Sequence, residues 1–337
     1  MAEKLLIVGY SSSEHVGSHF CDAARTLGIE ANIYDAQMAF RGPRLLAAVY
    51  WRLAHHRPLR LRQYGQGLVQ QCKETGVTLV ISTGIAPIAS QTLIELKRMG
   101  TPVINYLTDD PWNPHHFAPW FLKTLPYYDM VFSPRRANLE DLRRSGTKRV
   151  SFLPFAYNPE LHALSPQGRE ENGNSPDVIF VGGADKDRVP FLGALAKAGF
   201  HLQLHGGYWD RYSETRQYAC GHLPPAAVKD AIAKAKIALC LVRRANRDGH
   251  CMRTFEIPAM SGCMLAENTE EHREIFGADG EAVLYFQDIG EMLKKTRWLV
   301  DHPEERHRLA VAAHCLITRG GHTYGDRLLQ MLRQVSH

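Results

Sequence analysis

Residues 237 to 264 have the sequence IALCLVRRANRDGHCMRTFEIPAMSGCM. The apolar run from Ile237 to Val242 predicts a strand buried on both faces, and the arginine-rich residues after it predict a polar loop. A helix is predicted from near Thr254 to the small pair at 261–262. A strand, a loop and a helix in this order are the repeating unit of an α/β fold with a parallel sheet.

Pro258 sets the expected register of this helix. Proline is tolerated in the first turn, where its missing N–H has no partner in any case, so the sequence predicts Glu256 at the helix N-terminus. The helix dipole stabilises a carboxylate there. Because α/β sheets bind ligands beyond the carboxyl ends of their strands, Glu256 is a candidate ligand-binding residue.

Length and composition indicate a two-domain protein of the cytoplasm. The chain has 337 residues, of which 45% are hydrophobic and 22% charged. No run of eighteen apolar residues and no signal peptide is found, so we expect a cytoplasmic protein. Seven cysteines without a CxxC pair favour reduced thiols over disulfides or a zinc site, and we expect Cys251 to be a neutral thiol.

Strand signals recur at regular spacing through the first half of the chain. The predicted strands are Lys4 to Gly9, Ala31 to Tyr34, Thr78 to Ser82, Pro102 to Tyr106 and Tyr127 to Ser133. The turn after the first strand, GYSSSEHVG, lacks the glycines of the dinucleotide-binding fingerprint GxGxxG. NAD binding is therefore not expected.

The second half repeats the pattern after a stretch rich in Pro, Asn and Gly. Its strands are predicted to begin near residues 177, 202, 237, 264 and 281. We therefore predict an α/β protein with two Rossmann-like, doubly wound parallel-sheet domains, at 1–165 and 176–320. Residues 321–337 are predicted to form a last helix that returns to the first domain.

One segment carries the positive charge of the protein. Residues 1–160 hold 18 Lys and Arg against 13 Asp and Glu, whereas residues 161–337 hold 22 of each. Arg41 to Arg62 contains six arginines and no acid, with apolar residues at helical spacing from Leu45 to Leu53. Two interpretations stay open: a basic helix that attracts anionic lipid or a phosphate-bearing acceptor, or an ordinary helix packed on its domain. The patch is too short to predict nucleic-acid binding.

The segment LTDDPWNP at 107–114 places two acids where a strand ends. One of Asp109 and Asp110 is a candidate general base for an incoming hydroxyl group, because the side chains of neighbouring residues in an extended segment diverge. Two solvated acids in an Asp-Pro turn are the alternative. No metal site is expected, since a hard cation needs more oxygen ligands than this dipeptide offers.

The second domain begins with DVIFVGGADKDR, a strand followed by two glycines. Glycines let a backbone approach a ligand, and the helix after them offers free N–H groups. Together with Lys186 and Arg188, the pair Gly182 and Gly183 is a candidate phosphate site. Arg243 is a further candidate cation, in the arginine-rich loop after Val242.

Several segments resemble a known enzyme family. IFVGG, GHLP, AKIALCLVR, RTFEIPAMSGCMLAE, TEEHREIF and HTYGDR follow in the order and spacing found in the C-terminal half of GT-B glycosyltransferases, and most resemble the CgeB-like group. The resemblance extends from about 177 to 329. In the first half it is limited to YDMVFSP, LPFAYNP and TDDPW. The resemblance implies a donor-binding second domain and an acceptor-binding first domain that face a cleft.

The resemblance also implies residue roles. Glu256 is expected to bind the ribose hydroxyls of a nucleotide diphosphate sugar, while Arg253 and the glycine turn hold its diphosphate. Retaining relatives carry a glutamate eight residues before the ribose-binding one, and here that position is Asp248. Inversion or retention at the sugar carbon therefore stays open.

The sequence thus predicts a glycosyltransferase of glycan or envelope biosynthesis that needs no metal or other cofactor. Its expected partners are a UDP- or GDP-linked sugar donor and a hydroxyl acceptor, which is a glycan, a lipid-linked sugar or a small molecule. Peripheral contact with an anionic inner membrane through 41–62 is a further expectation. Two alternatives remain: a nucleotide-sugar epimerase or hydrolase, and a non-catalytic sugar-nucleotide or glycan-binding protein.

Overall fold

The apolar runs of the sequence form parallel strands. The computed structural model describes residues 3–43, 50–51, 53–164 and 175–335. The strands are β1 (Lys4–Gly9), β2 (Glu30–Asp35), β3 (Leu79–Thr83), β4 (Val103–Tyr106), β5 (Met130–Ser133), β6 (Val150–Phe152), β7 (Val178–Val181), β8 (Leu202–His205), β9 (Ala219–Gly221), β10 (Ile237–Cys240), β11 (Met264–Glu267) and β12 (Leu284–Phe286).

Helices connect these strands. They are α1 (Val16–Thr26), α2 (Leu61–Thr75), α3 (Ser90–Arg98), α4 (Pro119–Leu122), α5 (Ala137–Arg144), α6 (Pro159–His162), α7 (Val189–Lys197), α8 (Pro225–Lys234), α9 (Met252–Ala259), α10 (Glu270–Phe276), α11 (Ile289–Asp301), α12 (Pro303–Arg319) and α13 (Tyr324–Val335). Side-chain caps start several of them. Asp288, for example, accepts a hydrogen bond from the backbone N–H of Glu291 at 2.8 Å.

The strands form two six-stranded sheets within the described residues. One has the order β2-β1-β3-β4-β5-β6 and the other the order β12-β11-β10-β7-β8-β9, with parallel neighbours throughout. The predicted fold class, two doubly wound parallel-sheet domains, is confirmed. Each sheet has its own buried apolar core against its helices.

The chain divides into two compact units. The first contains the described residues up to Pro154, the short segment Ala245–Arg247 and α13; the second contains the described residues of Phe155–Arg244 and Asp248–Thr323. In the first unit, the Tyr324 ring lies 4.9 Å from the ring of His19 and 5.3 Å from that of Phe20. These contacts pack α13 on α1.

The division comes earlier than the predicted boundary near residue 165. Residues after Pro154 pack with the second unit: the Phe155 N–H donates to His250 Nε2 at 3.1 Å, and the Leu164 N–H donates to the Ala259 carbonyl at 3.1 Å. The Pro- and Gly-rich composition therefore placed the boundary later than these hydrogen bonds do.

The strand order of each sheet reverses at one point, and ligands bind at such points in open α/β sheets. In the second unit the reversal lies between β7 and β10. Gly182 follows β7, and Arg243 lies in the loop after β10. In the first unit the reversal lies between β1 and β3, which are followed by Tyr10 and Gly84. The topology therefore indicates these two edges as ligand-binding positions.

The basic segment 41–62 is described only in part. Leu45, Leu46 and Val49 of the predicted apolar stripe lie outside the described residues. Of the other two, Tyr50 is half-buried and Leu53 is 79% exposed, so both interpretations of the segment stay open. Within the described ranges, no helix is long and apolar enough to cross a membrane.

Candidate functional site

Three side chains fix the backbone where β7 ends in the second unit. Arg253 Nε donates to the Val181 carbonyl at 3.2 Å, Trp209 Nε1 to that of Gly182 at 2.8 Å, and Arg188 Nη1 to that of Gly183 at 3.1 Å. Three consecutive carbonyl groups are thus held by buried or half-buried N–H donors. The glycine turn is preorganised before any ligand arrives.

Close backbone packing explains the glycine on the opposite side of this turn. Gly206, after β8, has a φ of 128°, and a Cβ atom there would overlap the Gly182 carbonyl oxygen. A Cβ atom on Gly183, by contrast, would have its nearest neighbour 3.7 Å away. Within the described part of the chain the Gly183 N–H has no hydrogen-bond acceptor. This N–H is available to an anionic ligand.

Helix α9 begins earlier than predicted, and the prediction that Pro258 lies in its first turn is wrong. The helix runs Met252–Ala259, and the Cys251 N–H donates to Thr254 Oγ1 at 3.0 Å at its start. Proline is accommodated one residue before the helix ends, where it removes a single hydrogen bond. Glu256 is therefore the fifth residue of the helix and not at its N-terminus; Arg253 occupies the first turn.

Arg253 and Glu256 form an ion pair beside the glycine turn. The Glu256 side chain is 1% exposed and that of Arg253 29%. His162 Nε2 lies 3.9 Å from Glu256 Oε1. His162 Nδ1 accepts a hydrogen bond from the Asn158 N–H, so in the neutral ring the proton is on Nε2 and faces Glu256. The structure thus joins three predicted elements, Gly182–Gly183, Arg253 and Glu256, with the arginine as the exposed member.

The other predicted cations differ in their surroundings. Arg188 is 8% exposed and is used in holding the turn, whereas Lys186 is exposed and Arg243 half-buried. Among the described residues, Lys186 and Arg243 have no acidic partner. Asp248 is half-buried, and its N–H donates to the Arg243 carbonyl at 3.4 Å. Lys186 and Arg243 therefore carry charge that a ligand can neutralise.

The sequence prediction missed a buried histidine next to this loop. His250 Nε2 accepts from the Phe155 N–H, so the ring proton lies on Nδ1 and is donated to the carboxylate of Glu271. A Cβ atom on Gly249 would overlap the Glu271 carboxyl group, which explains that glycine. The signal was present in the tripeptide GHC at 249–251, but the partner of the histidine is 21 residues away.

A second buried histidine fixes the start of α9. His272 Nε2 is 2.9 Å from Thr254 Oγ1, and Nδ1 is 2.7 Å from the Glu267 carbonyl oxygen. The Glu267 carboxylate in turn accepts hydrogen bonds from the Val242 N–H and from Arg244. Burial lowers the pKa of His272 to about 4, so the ring is neutral at pH 7.

This histidine makes stability depend on pH in a defined window. Its pKa rises from about 4 to the ordinary value near 6.5 on unfolding, so the unfolded chain binds the extra proton. We expect the contribution of His272 to the free energy of unfolding to be complete above pH 6.5. It should fall by up to about 3 kcal/mol as the pH is lowered to 4. Urea unfolding of the wild type and of His272→Gln at pH 7.5 and 4.5 measures this slope.

Exposed His201 provides the matched control for that measurement. The variant His201→Gln should keep the wild-type pH slope, whereas His272→Gln should flatten it between pH 6.5 and 4. An unchanged slope in His272→Gln would contradict the assigned environment.

Two thiols lie behind the same loop. The Sγ atoms of Cys240 and Cys251 are 3.8 Å apart, and neither is in a disulfide. The hydrogen bond from Cys240 lowers the pKa of Cys251, because it stabilises the Cys251 thiolate. Cys251 is a free thiol, as expected, and this hydrogen bond makes it more acidic than an isolated buried thiol.

In the first unit, Asp110 is bound by an arginine. Its two carboxylate oxygens accept from Arg247 Nε at 2.7 Å and Arg247 Nη2 at 3.0 Å, and the Asp110 side chain is 1% exposed. Arg247 also donates to Asp141 at 2.7 Å, and these hydrogen bonds, that to Asp110 foremost, raise the pKa of Arg247. Both oxygens of Asp110 are thus occupied by Arg247, so neither is free to contact a substrate hydroxyl group.

Asp109 has a different environment. Its side chain is half-buried beside the Gly84 turn, where a Cβ atom on Gly84 would lie 3.1 Å from Asp109 Oδ2. Thr108 Oγ1 lies 3.3 Å from the same oxygen, and no cation pairs with Asp109 within the described residues. Burial, and then the charge of Asp109, raise the pKa of Tyr10. Of the two predicted acids, Asp109 is the one left available at the reversal of the first sheet.

The side chains that bind metals are dispersed. Over the described ranges, no group of three or more His, Cys, Asp and Glu side chains is arranged to hold a metal ion.

Comparison with known proteins identifies the fold. Residues 188–333 match the family model described as "Glycosyl transferase-like". No curated protein matches the chain by sequence. Among solved structures, sucrose-phosphate synthase from Thermosynechococcus elongatus is similar, with a TM-score of 0.70, 12% identity and 98% of each chain covered.

Two further structures extend the comparison. The HepE protein of Anabaena, solved in complex with UDP-glucose, has a TM-score of 0.63 and 14% identity over 98% of this chain and 99% of its own. Trehalose 6-phosphate synthase from Burkholderia multivorans has a TM-score of 0.60 and 11% identity, with 100% of this chain and 97% of its own chain covered. At such identities the likeness establishes the fold alone, which is the GT-B fold predicted from the sequence.

Proposed function

We propose that this GT-B protein, whose residues 188–333 match the glycosyl transferase-like family, transfers a sugar from a nucleotide diphosphate sugar to a hydroxyl acceptor. One observation carries the proposal. At the strand-order reversal of the second unit, the half-exposed Arg253 lies beside the glycine turn, whose Gly183 N–H has no acceptor in the described chain. Such a site suits a diphosphate, because guanidinium and backbone N–H groups are its usual donors.

The donor is proposed to be a UDP-linked sugar, with GDP as the competing nucleotide. The structures of HepE with UDP and with UDP-glucose are the reason for placing UDP first. Lys186 and Arg243 are proposed to add charge against the departing nucleoside diphosphate, so that transfer needs no metal ion. Glu256 is proposed to bind the ribose; a ligand must then reach a carboxylate that Arg253 now covers.

The acceptor hydroxyl group is proposed to be activated by Asp109. This half-buried carboxylate is free of a cation in the described part of the chain, whereas Asp110 is held by Arg247. A base on the acceptor is the requirement of an inverting transfer. If Asp248 acts on the donor sugar instead, the product retains its configuration, and NMR of the product distinguishes the two.

A thermal-shift screen with UDP, GDP, UDP-glucose and GDP-mannose tests donor binding. A ligand at a hundred times its Kd adds about 2.7 kcal/mol to the native state, which corresponds to a rise in Tm on the order of 5 °C. We expect the rise with UDP compounds and the same rise in the presence of EDTA. Absence of any shift with all four compounds would contradict the proposal.

Turnover separates transfer from its alternatives. The measurement is UDP release from the bound donor, with and without a panel of sugar acceptors. Release that requires an acceptor supports transfer; consumption of the donor without one identifies a hydrolase or epimerase. Binding without turnover on every acceptor would identify a non-catalytic protein.

A further inference from the structure

A cavity opens in the first unit, at the carboxyl ends of β1 and β2. Its volume is about 560 Å³, within the range of small-ligand sites. Tyr10 follows β1 and Gln37 follows β2, and these strands are paired in parallel up to Gly9 and Asp35. The other lining residues in the described part of the chain are Phe40, Arg41, Trp51, Arg57 and Leu59.

Aromatic rings form much of its wall. Tyr10 is 37% exposed and Trp51 43% exposed, so part of each ring is open to a ligand. The Phe40 ring packs against Trp51 with centroids 5.6 Å apart, and the His56 ring packs at 4.5 Å. The Trp51 ring is thus held on two sides while part of it stays open. A sugar ring suits such a surface, because its C–H groups carry slight positive charge and the face of an aromatic ring is negative.

The charged residues in the described lining of the cavity are both arginines. Arg41 and Arg57 are both exposed, and neither has an acidic partner among the residues that the structure describes. The nearest acid in sequence is Asp35, whose carboxylate already accepts from the Gln37 N–H at 2.9 Å. The described residues that line the cavity include no acid, although the charges of Asp109 and Asp35 reach Tyr10. Neither carboxylate is paired with Arg41 or Arg57. Guanidinium groups bind phosphate and carboxylate groups in a bidentate manner.

We propose that this cavity binds the acceptor, and that the acceptor is an anionic sugar. Its ring lies on Trp51 and Tyr10, and its phosphate or carboxylate group lies on Arg41 and Arg57. That the bound sugar is the acceptor of the transfer rests on the proposed function. That the cavity binds an anionic sugar rests on its lining residues alone.

Calorimetric titration of the whole protein without donor tests the site. The probes are glucose 6-phosphate, glucuronic acid, glucose and inorganic phosphate. We expect an anionic sugar to bind at least tenfold more tightly than glucose and than phosphate. Arg41→Gln and Arg57→Gln should each weaken binding about tenfold, and Trp51→Leu should weaken the sugar more than phosphate. Arg98→Gln, which removes an exposed arginine of α3, is the matched control and should bind as the wild type does.

Vesicles distinguish a free sugar from a lipid-linked one. Binding to phosphatidylinositol vesicles but not to phosphatidylserine vesicles, with loss in Arg57→Gln, supports the proposal with a lipid-linked source. Equal binding to both vesicle types, or equal affinity for glucose and glucose 6-phosphate, would overturn it. The effect of UDP on the Tm tests the donor site separately. If UDP binds but no anionic sugar does, the cavity proposal is rejected and the proposed donor site is retained. If an anionic sugar binds but UDP does not, the proposed donor site is rejected.

Discussion

Replacing Arg253 by alanine is expected to weaken the binding of UDP and UDP-glucose by about 10- to 100-fold. The guanidinium lies on the Val181 carbonyl beside Gly182 and Gly183. Arg188 also contacts this turn but is buried, so Arg253 is the more accessible cation at the proposed diphosphate position. A charge-assisted hydrogen bond contributes about 1.5 to 3 kcal/mol, which gives this range. Isothermal titration with UDP measures the loss directly.

The same substitution removes the partner of a buried carboxylate. Glu256 is 1% exposed, and an uncompensated buried charge costs about 3 to 5 kcal/mol, so Arg253→Ala should also unfold at lower temperature. The double variant Arg253→Met with Glu256→Gln removes both charges and should recover part of this stability. It should not recover UDP affinity, because the guanidinium group that donates hydrogen bonds to the diphosphate is still missing.

Two single variants complete this test. Arg319→Ala, at the exposed end of α12, removes one arginine from the second unit and should bind UDP as the wild type does. Glu256→Gln keeps Arg253 and the shape of the site; a loss of affinity there assigns the ribose contact to Glu256. Unchanged UDP affinity in a folded Arg253→Ala variant would remove Arg253 from the diphosphate site.

The sheets were predictable because their strands are buried on both faces. Lys4–Gly9 and Met264–Glu267 are apolar enough to be recognised without any context, and their observed bounds match the predicted strands. The edge strand β9 was missed. Its residues Ala219–Gly221 are half-buried or exposed and carry no apolar run, so it has no sequence signal.

The site was predictable only where its residues are close in sequence. Arg253 and Glu256 are one helical turn apart, and their pairing follows from that spacing. The start of α9, however, depends on Thr254 and on His272, which is eighteen residues further along. Pro258 alone gave the wrong register, because tertiary contacts outweigh the preference of proline for a first turn.

The two neighbouring acids illustrate the same limit. Their divergent side chains were expected, but the partner of Asp110 is 137 residues away in a segment that belongs to the first unit. No local pattern indicates that Arg247 occupies it. The structure therefore distinguishes two acids that the sequence could not: Asp110 is paired with Arg247, and Asp109 has no cation partner among the described residues.

Asp109→Asn is expected to lower kcat by a factor of about 10² to 10⁴ while leaving UDP affinity and Tm near the wild-type values. Loss of a general base has an effect of this size, and Asp109 has no cation partner in the described part of the chain whose loss would destabilise the fold. The measurement is single-turnover transfer from UDP-glucose to the acceptor found in the panel.

Asp110→Asn is the matched variant, because it makes the same chemical change one residue away. It leaves Arg247 without its bidentate partner, so it should lower stability by about 3 kcal/mol and weaken the packing of Ala245–Arg247 within the first unit. Asp110→Asn with Arg247→Met should recover stability in part, since no charge is left unpaired. If Asp110→Asn abolishes transfer in a folded protein while Asp109→Asn does not, the two roles are reversed. If neither changes kcat, the first unit supplies no base, and Asp248 becomes the residue to test for a retaining reaction.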